Sequence, residues 1–165
     1  FGGVYKLVAT EKDGNITPKI KVSETAIKVT NPSFKKVYRF YDKDTGYALG
    51  DVIALADEKI ATDKFTLVHP TETWKKTELE NYDVRELQVP VFQGGELVYQ
   101  EPTIQEKQTY CQEEFETLYP EVTRIRMPHE YYVDLTDKLR QLKNDLIALH
   151  GGKATGEKPL VKVKK

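Results

Sequence analysis

The stretch Phe34-Lys35-Lys36-Val37-Tyr38-Arg39-Phe40-Tyr41-Asp42-Lys43-Asp44-Thr45-Gly46-Tyr47-Ala48-Leu49-Gly50-Asp51-Val52-Ile53-Ala54-Leu55-Ala56 decides the fold class. Its two ends are rich in β-branched and aromatic residues, and its middle holds Asp, Thr and Gly, which favour turns. The pattern predicts a strand over residues 36–41, a turn at Asp42 to Gly46, and a strand over residues 48–56. On the first strand Lys36, Tyr38 and Phe40 share one face, and Val37, Arg39 and Tyr41 share the other.

Working outward, residues 4–10 and 16–22 alternate in polarity around the turn signal Lys12-Asp13-Gly14-Asn15, which predicts a hairpin. Asn31-Pro32-Ser33 breaks the chain before residue 34. A short strand is expected near residues 65–68, before the loop His69-Pro70-Thr71. A further hairpin is expected from residues 84–92 and 96–99 around Gly94-Gly95.

The second half changes period. Thr103-Ile104-Gln105-Glu106 is a capping box, and Ile104, Cys111, Phe115 and Leu118 then share a helical face. This places Cys111 in the core and Glu113 and Glu114 in solvent. Tyr119-Pro120 ends the helix. After a loop over residues 124–132, Leu135, Leu139, Leu142, Leu146 and Leu149 form a second helical stripe, with Gly151-Gly152 as its C-cap. The fold expected is α+β: an antiparallel, β-rich first half followed by two C-terminal helices. The expected division is an edge strand over residues 1–10, a domain over residues 11–150, and a flexible basic tail over residues 151–165.

Composition narrows the function. The 165 residues are 39% hydrophobic and 31% charged, with net charge −1. This gives no global attraction to nucleic acid or membrane. No apolar run approaches the roughly 20 residues of a transmembrane helix. One cysteine excludes an internal disulfide framework and fits a reducing, cytoplasmic setting. The chain opens on Phe1-Gly2-Gly3-Val4 with no initiator Met, which reads as the interior of a longer protein.

No catalytic constellation emerges. His129-Glu130 opens like a zinc-protease motif, but position 133 is Val rather than the second histidine. Asp42, Asp44 and Gly46 start like a calcium loop, yet the positions that need Gly and Glu hold Tyr47 and Ile53. Neither Ser23 nor Ser33 lies in a nucleophile elbow. No catalytic and no metal-binding residue is therefore assigned. Lys6 admits two readings. It is an exposed lysine laying its stem on a sheet, or a buried cation facing an anion such as phosphate. Gly2 and Gly3, beside it, would allow close backbone approach to that ligand. The basic and aromatic strand at residues 34–41 likewise has an alternative use, in which it binds RNA or an acidic protein.

Several segments, in order, resemble nicotinate phosphoribosyltransferase. They are Gly2-Gly3-Val4-Tyr5-Lys6-Leu7-Val8, Lys19-Ile20-Lys21-Val22-Ser23-Glu24, Lys28-Val29-Thr30-Asn31-Pro32, Lys35-Lys36-Val37-Tyr38-Arg39 and Ala54-Leu55-Ala56-Asp57-Glu58. Val84-Arg85-Glu86-Leu87, Val89-Pro90-Val91-Phe92, Pro128-His129-Glu130-Tyr131 and Val133-Asp134-Leu135 follow. The similarity reaches about residue 150, and Ser33 departs from it where the family pattern has Gly. The resemblance implies the C-terminal portion of a type II phosphoribosyltransferase. Such an enzyme joins nicotinate to 5-phosphoribosyl 1-diphosphate with ATP hydrolysis and Mg in NAD salvage. It implies an α/β barrel and a phosphate loop before Phe1, with the first strand here at the barrel edge. It further implies a dimeric parent, partnership between this fragment and the barrel, and no catalytic role for the fragment alone. Lys6, Gly2 and Gly3 would lie on the phosphate side of the substrate.

Overall fold

A computed structural model describes residues 3–25, 28–69 and 72–150. The hairpin at the centre of the sequence is the centre of the fold. Strand β3 (Lys35–Asp42) pairs antiparallel with β4 (Ala48–Leu55), with Phe40 opposite Gly50 and Arg39 opposite Asp51. The turn between them is held by one carboxylate. Asp42 Oδ1 accepts from the backbone N–H of Asp44 and Thr45 and from Thr45 Oγ1, at 3.0, 2.7 and 2.8 Å. The Thr45 hydroxyl leads the effects that hold the Asp42 carboxyl below its ordinary pKa.

Before this hairpin, β1 (Ala9–Lys12) and β2 (Asn15–Pro18) form a separate two-stranded ribbon. Its turn has positive φ at both Asp13 and Gly14, which a two-residue hairpin turn requires. The strands are shorter than the expected 4–10 and 16–22. Residues 3–8 lie outside any strand, and Val8 instead receives Lys19 N–H and Ser33 N–H on its carbonyl. Ser33 has φ 67°, a left-handed conformation that Gly adopts without steric cost. The expectation of Gly at that position therefore has a backbone reason.

After β4, β5 (Lys64–Val68) pairs with β6 (Lys76–Glu80) as a second ribbon. β7 (Tyr82–Glu86) then joins β3 on its free edge. The hairpin β8 (Phe92–Gln93) and β9 (Glu96–Leu97) turns on Gly94 and Gly95, both at positive φ. Two helices follow, α1 (Ile104–Glu116) and the short α2 (Pro120–Thr123). Pro120 both prevents continuation of α1 and opens α2, whose first turn needs no proline N–H. β10 (Val133–Leu135) then pairs in parallel with β4, and α3 (Asp137–Leu149) closes the described chain.

The main sheet therefore has the order β10-β4-β3-β7 and is mixed, where an antiparallel sheet was expected. There are three helices rather than two among the described residues. Parallel pairing needs a long crossover, and the chain between β4 and β10 supplies one that includes two ribbons and two helices.

One face of this sheet carries the core. Phe40, Val52 and Tyr82 are buried beneath Leu67 and Leu79 of the β5–β6 ribbon. Phe40 meets Phe65 at 4.8 Å and Tyr82 edge-on at 4.9 Å, and the Tyr82 hydroxyl donates to Ala61 O at 2.8 Å. Gly50 permits this closeness. Its φ is 156°, and a Cβ there would lie 3.0 Å from Leu67 Cδ1 and 3.4 Å from Tyr132 backbone.

The helix α3 packs through Leu139 and Ile147, both buried. Leu135, expected to begin its stripe, instead lies on β10, and Leu149 is exposed. Thr136 caps the helix and donates to Glu58 Oε2 at 2.6 Å, while the same carboxylate accepts Leu55 N–H at 2.8 Å. This ties the helix start to the end of β4. The C-cap residue is His150; Gly151-Gly152 and the expected tail lie outside the described residues.

Candidate functional site

The opposite face of the sheet is polar, and the pleat places its charges side by side. Arg39 on β3 stands directly between Asp51 on β4 and Arg85 on β7. Asp51 satisfies it by a two-pronged pair, Nε to Oδ1 at 2.8 Å and Nη2 to Oδ2 at 3.0 Å. This hydrogen bond is the chief reason that the Arg39 guanidinium is held protonated well above its ordinary range.

Two arginines directly opposed across a sheet repel each other. Glu114 of α1 resolves the conflict. Its carboxylate accepts from Arg39 Nη1 at 3.1 Å, from Arg85 Nη2 at 2.7 Å and from the Tyr41 hydroxyl at 3.3 Å. Burial pushes this carboxyl up, but the Arg85 hydrogen bond and the charges of Arg85 and Arg39 outweigh it. The net result lies below the ordinary range. Tyr131 completes the group by donating to Asp51 Oδ1 at 2.8 Å beneath the Arg39 guanidinium. Burial and the adjacent Asp51 raise the Tyr131 pKa, so the phenol stays protonated.

Glu114 was expected in solvent and is instead the link between helix and sheet. Cys111 was expected in the core and is exposed, because α1 contributes no buried residue. The helix approaches the sheet through Glu114 rather than through an apolar stripe.

An open cleft of about 670 Å³ adjoins this network. Its lining includes Leu49, His69, Tyr119, His129, Glu130 and Tyr131. The cleft thus brings together two of the three histidines, which the sequence reading treats separately. His69 Nδ1 accepts the Glu72 N–H at 3.0 Å, fixing the β5–β6 connection. The His129 backbone N–H donates to Glu121 O at 2.7 Å. Asp134, 1% exposed, lies nearby, and burial raises its carboxyl pKa against the opposing charges of His69 and Arg140. Among the described residues no group of three or more His, Cys, Asp and Glu side chains could hold a metal ion. No helix of the described residues is long and apolar enough to cross a membrane.

Lys6 is exposed on the segment before β1, not on a strand, and its Nζ donates to Tyr5 O at 3.2 Å. Around Gly3 a Cβ would meet nothing within 4 Å. Gly2 lies outside the described residues. The basic strand is already engaged within the chain. Lys35 Nζ donates to the carbonyls of Pro32 and Ser33, Lys36 pairs with Glu86 at 2.9 Å, and Arg39 pairs with Asp51. Tyr38 packs against the core and Tyr41 lies under Arg85. RNA or acidic-protein binding by residues 34–41 has no support in this geometry.

Residues 34–143 match the family described as nicotinate phosphoribosyltransferase C-terminal domain. The nicotinate phosphoribosyltransferase of Bacillus subtilis (strain 168) is 40% identical over 138 residues, which is 83% of this chain and 28% of that protein. The human protein of that name is 33% identical over 153 residues, covering 90% and 27%. The crystal structure of human nicotinic acid phosphoribosyltransferase superposes with a TM-score of 0.68 at 28% identity, over 88% of this chain and 27% of that one. The chain thus spans about a quarter of the length of these relatives. The family match spans the central hairpin, α1 and β10, and the chain belongs to the nicotinate phosphoribosyltransferase C-terminal domain family.

Proposed function

We propose that this chain is the C-terminal portion of an enzyme that joins nicotinate to 5-phosphoribosyl 1-diphosphate. The products are nicotinate mononucleotide and diphosphate, and ATP hydrolysis drives the reaction in NAD salvage. The carrying observation is the family match over residues 34–143, made by a chain that spans only about a quarter of its relatives. The clustered charges support a structural rather than a catalytic part for this domain. Arg39, Asp51, Glu114 and Arg85 are bonded to one another. In this reading ATP and magnesium are bound by the remainder of the parent. The parent is a cytoplasmic homodimer in this reading, and its α/β barrel is the partner of this domain.

The segment before β1 borders the barrel mouth and contributes Lys6, Gly2 and Gly3 on the phosphate side of the substrate. Two observations support this: the Lys6 side chain is exposed, and the space around Gly3 is open. A lysine–phosphate contact is a charge-assisted hydrogen bond worth about 1.5–3 kcal/mol. Lys6→Met in the parent enzyme should therefore raise KM for 5-phosphoribosyl 1-diphosphate by about tenfold or more. The melting temperature should not move, since Lys6 is exposed. An unchanged KM removes Lys6 from the site, and a parent without nicotinate-dependent turnover removes the functional reading itself.

A further inference from the structure

Residues 88–113 are folded, yet almost nothing in the described chain covers them. Every residue in this run is exposed except Pro102, which is half-buried. The run includes a hairpin with a well-formed Gly94-Gly95 turn and most of α1 with its complete capping box. Its apolar side chains face outward: Phe92 is 67% exposed, Leu97 64% and Ile104 68%. Phe92 and Leu97 are directly opposed cross-strand partners, so they present one continuous apolar surface. Val91, Val98 and Tyr110 are exposed as well. A helix of 13 residues is marginal in water without an apolar face to bury. The side-chain bonds that tie α1 to the sheet all run to Glu114.

We propose that residues 88–113 are a docking arm, and that its occupant is the larger remaining portion of the parent enzyme. This rests on the reading of the chain as one domain of a longer protein. The arm lies inside the family-matched residues 34–143, in relatives about three-quarters of whose length lies outside the match. An arm that buries almost nothing at home, in a domain read as joined to so much more protein, has its counterpart there. Charge argues against a second copy on the same face. The arm carries exposed Glu96, Glu101, Glu106 and Glu113 against one lysine, Lys107. A two-fold contact would bring two such acidic arms together. The receiving surface is therefore an apolar groove with a basic border, seating Phe92, Leu97 and Ile104.

The test is amide hydrogen exchange on the 165-residue chain and on the full parent enzyme, both unmodified. In the isolated chain residues 92–110 should exchange quickly at every protein concentration. In the parent they should be protected at least tenfold more. Phe92→Asp with Leu97→Asp should leave the melting temperature of the isolated chain unchanged, and in the parent should abolish that protection. Equal exchange in chain and parent overturns the proposal. Protection that appears in the isolated chain as its concentration rises overturns it in favour of a second copy. Exchange does not depend on turnover, so an inactive parent whose arm is protected would refute the assigned reaction and leave the docking arm standing.

Discussion

Arg39→Met should lower the stability of this chain by about 3–5 kcal/mol, the usual cost of removing one partner from a buried ion pair. The reason lies in what is left behind. The Asp51 side chain is 9% exposed and would keep only the Tyr131 hydroxyl as its side-chain partner. A carboxylate out of water without its cation is costly. The double variant Arg39→Met, Asp51→Leu should recover most of the loss, because both charges leave together and the site can fill with apolar volume. Urea denaturation of the two variants checks this. A single-variant loss under about 1 kcal/mol would show that the pair behaves as an ordinary surface salt bridge.

The same network predicts an acid response with a definite sign. Glu114 has a folded pKa below its ordinary 4.5. The stability it contributes is therefore present above pH 4.5 and lost as pH falls through the lower, folded value. Protonation leaves Arg39 facing Arg85 with no carboxylate between them, so α1 should release before the core unfolds. Glu114→Gln should remove that acid step from the helical circular-dichroism signal.

Phe40→Ala should cost about 3–5 kcal/mol, at the level of other buried phenylalanines. Phe40 is fully buried and touches both Phe65 and Tyr82, so its loss opens a cavity where three elements meet. Phe92→Ala is the control. It deletes the same ring from an exposed position and should change the isolated chain by less than about 0.5 kcal/mol. Thermal melts that show equal losses for the two would contradict the placement of the core on the β5–β6 side of the sheet.

These contrasts also show which levels of the structure were legible. The central hairpin could be read because its signals agree: period-two polarity, β-rich residues and an Asp–Thr–Gly turn. The face division of Lys36, Tyr38 and Phe40 against Val37, Arg39 and Tyr41 held for the same reason. The capping box at Thr103 was local chemistry and appeared as expected. Strand β6 was missed because Lys-Thr-Glu-Leu-Glu buries only Leu79 and is stabilised across the ribbon, where Lys64 pairs with Glu78 and Glu80. β10 was missed because three residues carry no period, and its parallel partner lies some 80 residues earlier, as the Val133–Asp51 pairing shows. That pairing is what turns the expected antiparallel sheet into a mixed one.

The polar site was less legible than the fold. Glu114 looks like one of two solvated carboxylates on a charged helix. Its role depends on two arginines that only strand register brings together. Cys111, Ile104 and Phe115 formed a convincing apolar helical face, and that face exists. It is simply not covered by the other described residues. Helical periodicity reports that a face will be buried, not which part of a protein will bury it.

The most direct test of the central claim is an assay of the purified 165-residue chain for nicotinate mononucleotide. The chain would be supplied with nicotinate, 5-phosphoribosyl 1-diphosphate and Mg²⁺-ATP, beside the full parent enzyme. If these residues form a supporting domain, the parent makes product and the isolated chain makes none. Product formed by the isolated chain would contradict that account.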